Sequence, residues 1–168
     1  VRALEEGKHK VFYSLADKDI DVILLTETRW RSPSATFTAA KVLRYIMFRN
    51  KSAIVVHRVN ECDERKGSNH MNRLLKRANY AADHTVFVGS WLKELPLWQG
   101  GRHTVILNGA DQDTFTTANR SCWDGVQPMR LVTHHWGAHW MKGFDVYLQI
   151  DRLLSQKKWR EKIDFTYI

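Results

Sequence analysis

Cysteine is scarce in this sequence: 168 residues hold two, Cys62 and Cys122, placed far apart. That excludes a disulfide framework and a cysteine-based metal cluster, and a reducing, cytosolic setting is the default expectation. Long hydrophobic runs are missing as well. No stretch reaches ~18 apolar residues, so no transmembrane helix is predicted, and the polar, charged first residues predict no signal peptide. Internal repeats and low-complexity segments are absent. Acidic residues are outnumbered, 18 against 26 Lys and Arg, for a net charge of +8. Such an excess implies an anionic partner: phosphate groups, an acidic membrane surface or nucleic acid. The last is disfavoured, because the basic residues are dispersed and no RNP, KH or helix-turn-helix signature is present. The first residue is valine, and the sequence stops at Tyr167-Ile168, within what reads as a strand. An internal fragment of a longer protein is the expectation from those two features.

What is present is ordinary for a globular chain, with 43% hydrophobic and 26% charged residues, and the length suits one domain or parts of two. Residues 3–17 read as a helix with Leu4, Val11, Phe12 and Leu15 on one face. Residues 21–26 form a β-rich apolar run, read as a buried strand. Ser32-Pro33-Ser34 signals a helix start, followed by an apolar stripe of Phe37, Ala40, Leu43, Ile46 and Met47, with Lys41, Arg44 and Arg49 pointing to solvent. A strand from Ala53 to Val56 leads through His57 to Glu61 into a polar loop, 62–68. The next helix, about 69–82, turns Met71, Leu74, Leu75, Ala78 and Ala82 inward and Arg73, Lys76 and Arg77 outward. A solvated surface is the commoner meaning of that basic face, and attraction to anionic lipid is the alternative. Residues 85–88 read as a strand, Ser90 as the cap of a short helix through Leu95, and 103–107 as a strand closed by the turn Asn108-Gly109. Residues 116–129 are polar and aperiodic, the best linker candidate. A strand from Arg130, a helix to about Gln156, a charged turn and a strand from Ile163 to Ile168 complete the chain. Such alternation predicts an α/β protein with parallel sheets and flanking helices.

The stretch Arg130 to Tyr147 carries the chemistry. Leu131-Val132-Thr133 reads as a buried strand, and a loop with His134, His135, Trp136, Gly137 and His139 follows. Lys142-Gly143 then opens a helix bearing Phe144, Tyr147, Leu148 and Leu154. Free N–H groups at a helix start, together with a lysine, favour a phosphate there. Many α/β proteins carry a lysine in such a place without binding anything, and that reading is equally open from this stretch alone. The three histidines do not make a metal site on this pattern. Adjacent histidines leaving a strand face opposite ways, and no nearby Cys or Asp completes a ligand set.

The order of motifs resembles glycosyltransferase family 4, enzymes of the GT-B fold with two Rossmann-like domains. Ala81-Ala82-Asp83 through Ser90 is similar to the family's strand leading into a serine-capped helix. Val105 to Asp111, with Phe115, is similar to the element before the interdomain linker. Leu131 to Asp145 resembles the first strand and loop of the donor domain. The resemblance implies that residues 1–115 are the later part of an acceptor-side Rossmann-like domain, 116–129 the interdomain linker and 130–168 the start of the nucleotide-sugar donor domain, with both domains incomplete.

Under that resemblance the chain is a fragment of a retaining glycosyltransferase. It implies transfer of a sugar from a nucleotide-diphosphate donor to the hydroxyl of a saccharide or lipid-linked acceptor, in polysaccharide or glycolipid synthesis. The setting is cytoplasmic, with peripheral contact at an anionic membrane face. No metal and no cofactor are implied, since protein cations serve the diphosphate. Lys142 matches the family lysine at that diphosphate; Gly143, Gly137 and His135 accompany it. A histidine stands where the family has arginine, a departure that puts that role in doubt. Gly137 would let the backbone approach the ligand. Asn60 and Glu61 occupy the acceptor-side positions where many members carry a His-Asp pair, and Asn60 cannot act as a base. Asn108, Gly109 and Asp111 fall at the interdomain hinge. The family's paired glutamates have no counterpart, so no catalytic residue is assigned. A noncatalytic sugar- or phosphate-binding module, or a degenerate remnant, is the alternative.

Overall fold

A computed structural model describes residues 2–27, 35–118, 120–135 and 140–168. The chain forms two compact units, Val1–Gly109 and Ala110–Ile168.

The first unit is mixed α/β, built on a four-stranded parallel sheet. The strands are β1 (Val22–Leu25), β2 (Ile54–Val59), β3 (His84–Phe87) and β4 (His103–Val105), side by side in chain order. Ile23 pairs with Val55, His57 with Thr85, and Phe87 with Val105. The helices are α1 (Arg2–Glu6), α2 (Ala39–Phe48), α3 (Asp63–Lys66) and α4 (Met71–Asn79), and a 3-10 turn spans Ser90–Glu94. Side chains alternate across a strand, and here one face is covered while the other is bare. Ile23, Leu25, Val55, Val59 and Phe87 are almost wholly buried, whereas Val22, Leu24 and Ile54 are half exposed. Burying each of the larger side chains contributes about 1.5–3 kcal/mol. The strand over 21–26 is therefore buried on one face only, because the described helices pack on one side of the sheet.

Several expected elements change in the structure. The helix over 3–17 stops at Glu6. His9 N–H donates to the Leu4 carbonyl and Lys8 N–H to the Glu5 carbonyl, with Lys8 itself at φ 61°. That double bond pattern around a left-handed residue is a Schellman stop. Phe12 and Leu15 reach the core from irregular chain instead. In α2 the buried residues are Val42 and Tyr45, and Met47 is exposed. Tyr45 turns inward because its hydroxyl accepts the Ile20 N–H. The expected start of that helix at Ser32 lies outside the described residues. The polar loop 62–68 contains α3, and Gly89 rather than Ser90 holds the cap position of the 3-10 turn. Burial pushes the Cys62 thiol up, so it sits in the core as a small protonated group.

The second unit pairs β5 (Met129–Thr133) with β6 (Ile163–Tyr167) in parallel, from Met129 opposite Ile163 to Thr133 opposite Tyr167. The connection carries a 3-10 turn (Trp140–Lys142), α5 (Phe144–Leu154) and α6 (Lys157–Arg160). The charged turn expected near 157–162 is thus partly helical. β5 is also not the buried strand expected, as Val132 is 63% exposed. Two strands and the described helices of this unit leave much of its apolar surface bare.

Candidate functional site

In open parallel sheets, ligands meet the carboxyl ends of the strands, and the candidate residues of each unit fall at such ends. In the second unit β5 ends at Thr133, and His135 follows two residues later, half buried. Lys142 is the last residue of the 3-10 turn and is exposed. Gly143 comes next at φ 86°, the cap position of α5. That left-handed backbone suits glycine. It also turns the chain so that α5 starts at Phe144, and Gly143 at the cap position has no side chain with which to cap it. The N–H groups of a helix's first turn and a neighbouring ammonium are what an anion needs. Gly137 lies outside the described residues.

One turn into α5, Tyr147 links these pieces. Its hydroxyl lies 2.8 Å from Thr133 Oγ1 and 2.9 Å from His135 Nε2. The backbone N–H of His135 donates to the Ile168 carbonyl. Sequence reasoning placed Tyr147 among apolar helix residues and Thr133 among strand residues, and so missed both as partners of His135. The available signal was spacing. Tyr147 lies three residues after Phe144 and so shares its helix face, the apolar one expected to pack on the sheet.

In the first unit Asn60 and Glu61 follow β2 directly. The Asn60 carbonyl accepts from the Arg65 guanidinium at 2.6 Å, and the Glu61 carboxylate lies 3.5 Å from Lys66 Nζ. The α3 residue Lys66 thus pairs with the Glu61 side chain, whereas Arg65 meets only the backbone of Asn60. The Arg58 guanidinium donates to Asn108 Oδ1 at 2.8 Å, tying the carboxyl end of β2 to the segment after β4. Asp63, expected within the polar loop 62–68, instead caps α4. Its carboxylate accepts the N–H groups of His70, Met71 and Asn72 and the Ser68 hydroxyl. Burial alone would raise this carboxyl, but those donors outweigh it and hold it below the ordinary range. The start of α4 is therefore already satisfied by the chain's own carboxylate.

The three hinge candidates straddle the division between the units. Asn108 and Gly109 close the first, and Asp111 opens the second. The Asp111 carboxylate accepts from the Thr114 hydroxyl at 2.8 Å and from the Asp113 N–H at 3.1 Å. These bonds hold its carboxyl below the ordinary range, and they form a local turn. The donor-side residues and the acceptor-side residues thus belong to different units.

Two open grooves add little chemistry. One of about 600 Å³ is lined by Arg130, Arg160, Ile163 and Asp164, at the amino ends of β5 and β6, opposite the Lys142 turn. The other, about 460 Å³, lies along α2, where Arg49 already donates to the carbonyls of Leu15 and Ala16. Among the described residues no cluster of three or more His, Cys, Asp or Glu side chains is placed to hold a metal, and none of the described helices is long and apolar enough to cross a membrane. No protein-family model, no curated protein and no solved structure matches the chain.

Proposed function

We propose that the chain is part of a retaining glycosyltransferase of the GT-B type, and that its second unit holds the diphosphate of a nucleotide-sugar donor. The observation that carries this reading is the turn after β5. Exposed Lys142, left-handed Gly143 and the start of α5 stand together after a parallel strand. The four-stranded parallel sheet of the first unit is compatible with a Rossmann-like acceptor domain. As the sugar departs, negative charge builds on the leaving diphosphate. A fixed ammonium and aligned N–H groups stabilise that charge more than they stabilise the intact donor, which lowers the barrier. His135 adds a hydrogen-bonding ring where a second cation would be expected. Asn60 supplies hydrogen bonds to an acceptor saccharide, and the exposed Arg73, Lys76 and Arg77 of α4 suit a lipid-linked acceptor at an anionic surface.

Calorimetric titration of the chain with inorganic pyrophosphate tests the site. Binding is expected, and Lys142→Ala is expected to weaken it roughly tenfold. Equal affinity in the two chains refutes the assignment of Lys142. Binding with no sugar transfer from any nucleotide sugar favours a noncatalytic module, because the sequence has no match to the paired glutamates.

A further inference from the structure

At the carboxyl end of β5 three polar side chains form a line: Thr133 Oγ1, the Tyr147 hydroxyl and His135 Nε2, separated by 2.8 and 2.9 Å. The phenol has one proton to donate and two neighbours to satisfy. The distances fit either direction along the line, but an imidazole nitrogen is a much better acceptor than an aliphatic hydroxyl, which favours Tyr147 donating to Nε2 and Thr133 donating to the phenol oxygen. A neutral imidazole carries a single proton, which that arrangement places on Nδ1. Free histidine prefers the other nitrogen, so the placement is imposed by the partner. The Tyr147 ring is itself held. It stacks on Tyr167 at 6.3 Å and 5° and on His135 at 6.2 Å and 26°, and it meets Phe144 edge-on at 5.6 Å. The helix-opening turn lies beside the same ring, since a Cβ built at Gly143 would stand 3.9 Å from it.

We propose that Tyr147, backed by Thr133, is a positioning residue: it fixes the His135 ring and its proton, making Nδ1–H the group offered to the donor diphosphate. The inference rests on the phosphate reading of the Lys142 turn and adds what orients its histidine. It also gives the histidine a defined task at the position where the family pattern has arginine. A neutral ring with a fixed proton is a directional donor, whereas a free ring would divide its population between two tautomers.

The test is the nitrogen-15 imidazole spectrum of His135 in the intact chain at about pH 8, where histidine is neutral. The wild-type ring is expected as the Nδ1–H tautomer. Tyr147→Phe keeps the aromatic contacts, removes the hydroxyl, and is expected to shift the ring toward Nε2–H and to weaken inorganic pyrophosphate binding several-fold. Thr133→Ser keeps the hydroxyl and is expected to preserve the wild-type spectrum. An Nε2–H ring in the wild-type chain overturns the proposal without any variant, and so does a spectrum unchanged by Tyr147→Phe. Failure of the wild-type chain to bind pyrophosphate strikes the phosphate reading instead, and the spectrum still decides the placement of the proton.

Discussion

His57 makes the stability of the first unit sensitive to mild acid. It lies on the covered face of β2 with no exposed surface, opposite Leu25 and Thr85. Its Nδ1 accepts from Asn79 Nδ2 at 3.0 Å, and the same amide donates to Thr85 Oγ1 at 2.8 Å. The Asn79 carbonyl oxygen accepts the Gln99 N–H, which fixes the amide's orientation. The proton of the neutral ring therefore sits on Nε2, which is buried and has no partner among the described residues. A second proton would have to enter at Nδ1 and break the Asn79 bond. Burial accordingly pushes the pKa down from 6.5 to about 4. Because the folded value is depressed, the unfolded chain takes up the proton first as pH falls. Stability is complete above about pH 6.5, declines toward about pH 4 and is flat below. The difference is on the order of 3 kcal/mol, most of it already lost by about pH 4.5. That is a large share of the 5–15 kcal/mol typical of a whole domain. The assay is amide exchange of Val55 and Val59 in β2 from about pH 7.5 to about pH 4.5, corrected for intrinsic rates, which reads the opening of this sheet. In His57→Gln the side-chain carbonyl still accepts from Asn79 but does not titrate. The variant is expected to lose the acid-dependent decline and to keep a constant opening free energy over this range. An equal decline in both chains refutes the reasoning.

Other outcomes follow from single contacts. Leu25→Ala empties a fully buried site and is expected to cost about 3 kcal/mol in urea unfolding, whereas Leu24→Ala, one residue earlier on the bare face, is expected to cost well under that. Asp63→Ala removes the acceptor of three N–H groups at the start of α4, and a thermal midpoint several degrees lower is expected, with Asp63→Asn intermediate. Gly143→Ala forces a side chain onto φ 86° and is expected to destabilise the second unit by about 1 kcal/mol, seen as lost exchange protection in α5.

How far the sequence is legible depends on whether a residue's partner is local. Strand runs such as Ile54 to Val56 carry their own mark, β-branched apolar residues between polar segments, and each lies where the pattern put it. The outward set Arg73, Lys76 and Arg77 on α4 is equally local, since helical spacing alone separates it from Leu75 and Ala78. The helix over 3–17 misleads because two signals coincide there. Phe12 and Leu15 are apolar because they touch the core, and their spacing imitates a helix, while the real stop uses Lys8 in a conformation that usually signals glycine. The polar core was illegible for the opposite reason. His57, Asn79 and Thr85 meet across two strands and a helix, and nothing in the sequence around any one of them names the others. Asn72 likewise reads as a helix-surface residue until its side chain is seen to accept the Asp63 N–H and complete the cap.

The site divides in the same way. Lys142-Gly143 is a neighbour pair, so the backbone turn and the helix start after it were open to reading. What makes His135 a defined donor is not. Thr133, His135 and Tyr147 span a strand, a loop and a helix, and only the folding of α5 back along β5 brings the phenol between the other two. A histidine in an arginine's place looks, in sequence, like the loss of a cation. On the proposal above, Tyr147 makes the same histidine a group of fixed direction, and the charge offered to the diphosphate falls to Lys142. If the turn binds diphosphate as proposed, Lys142 and Tyr147 act on different terms of one interaction. Pyrophosphate titration at low and high salt is then expected to show Lys142→Ala losing affinity mainly at low salt. Tyr147→Phe is expected to lose it with little dependence on salt, because what is lost is orientation rather than charge.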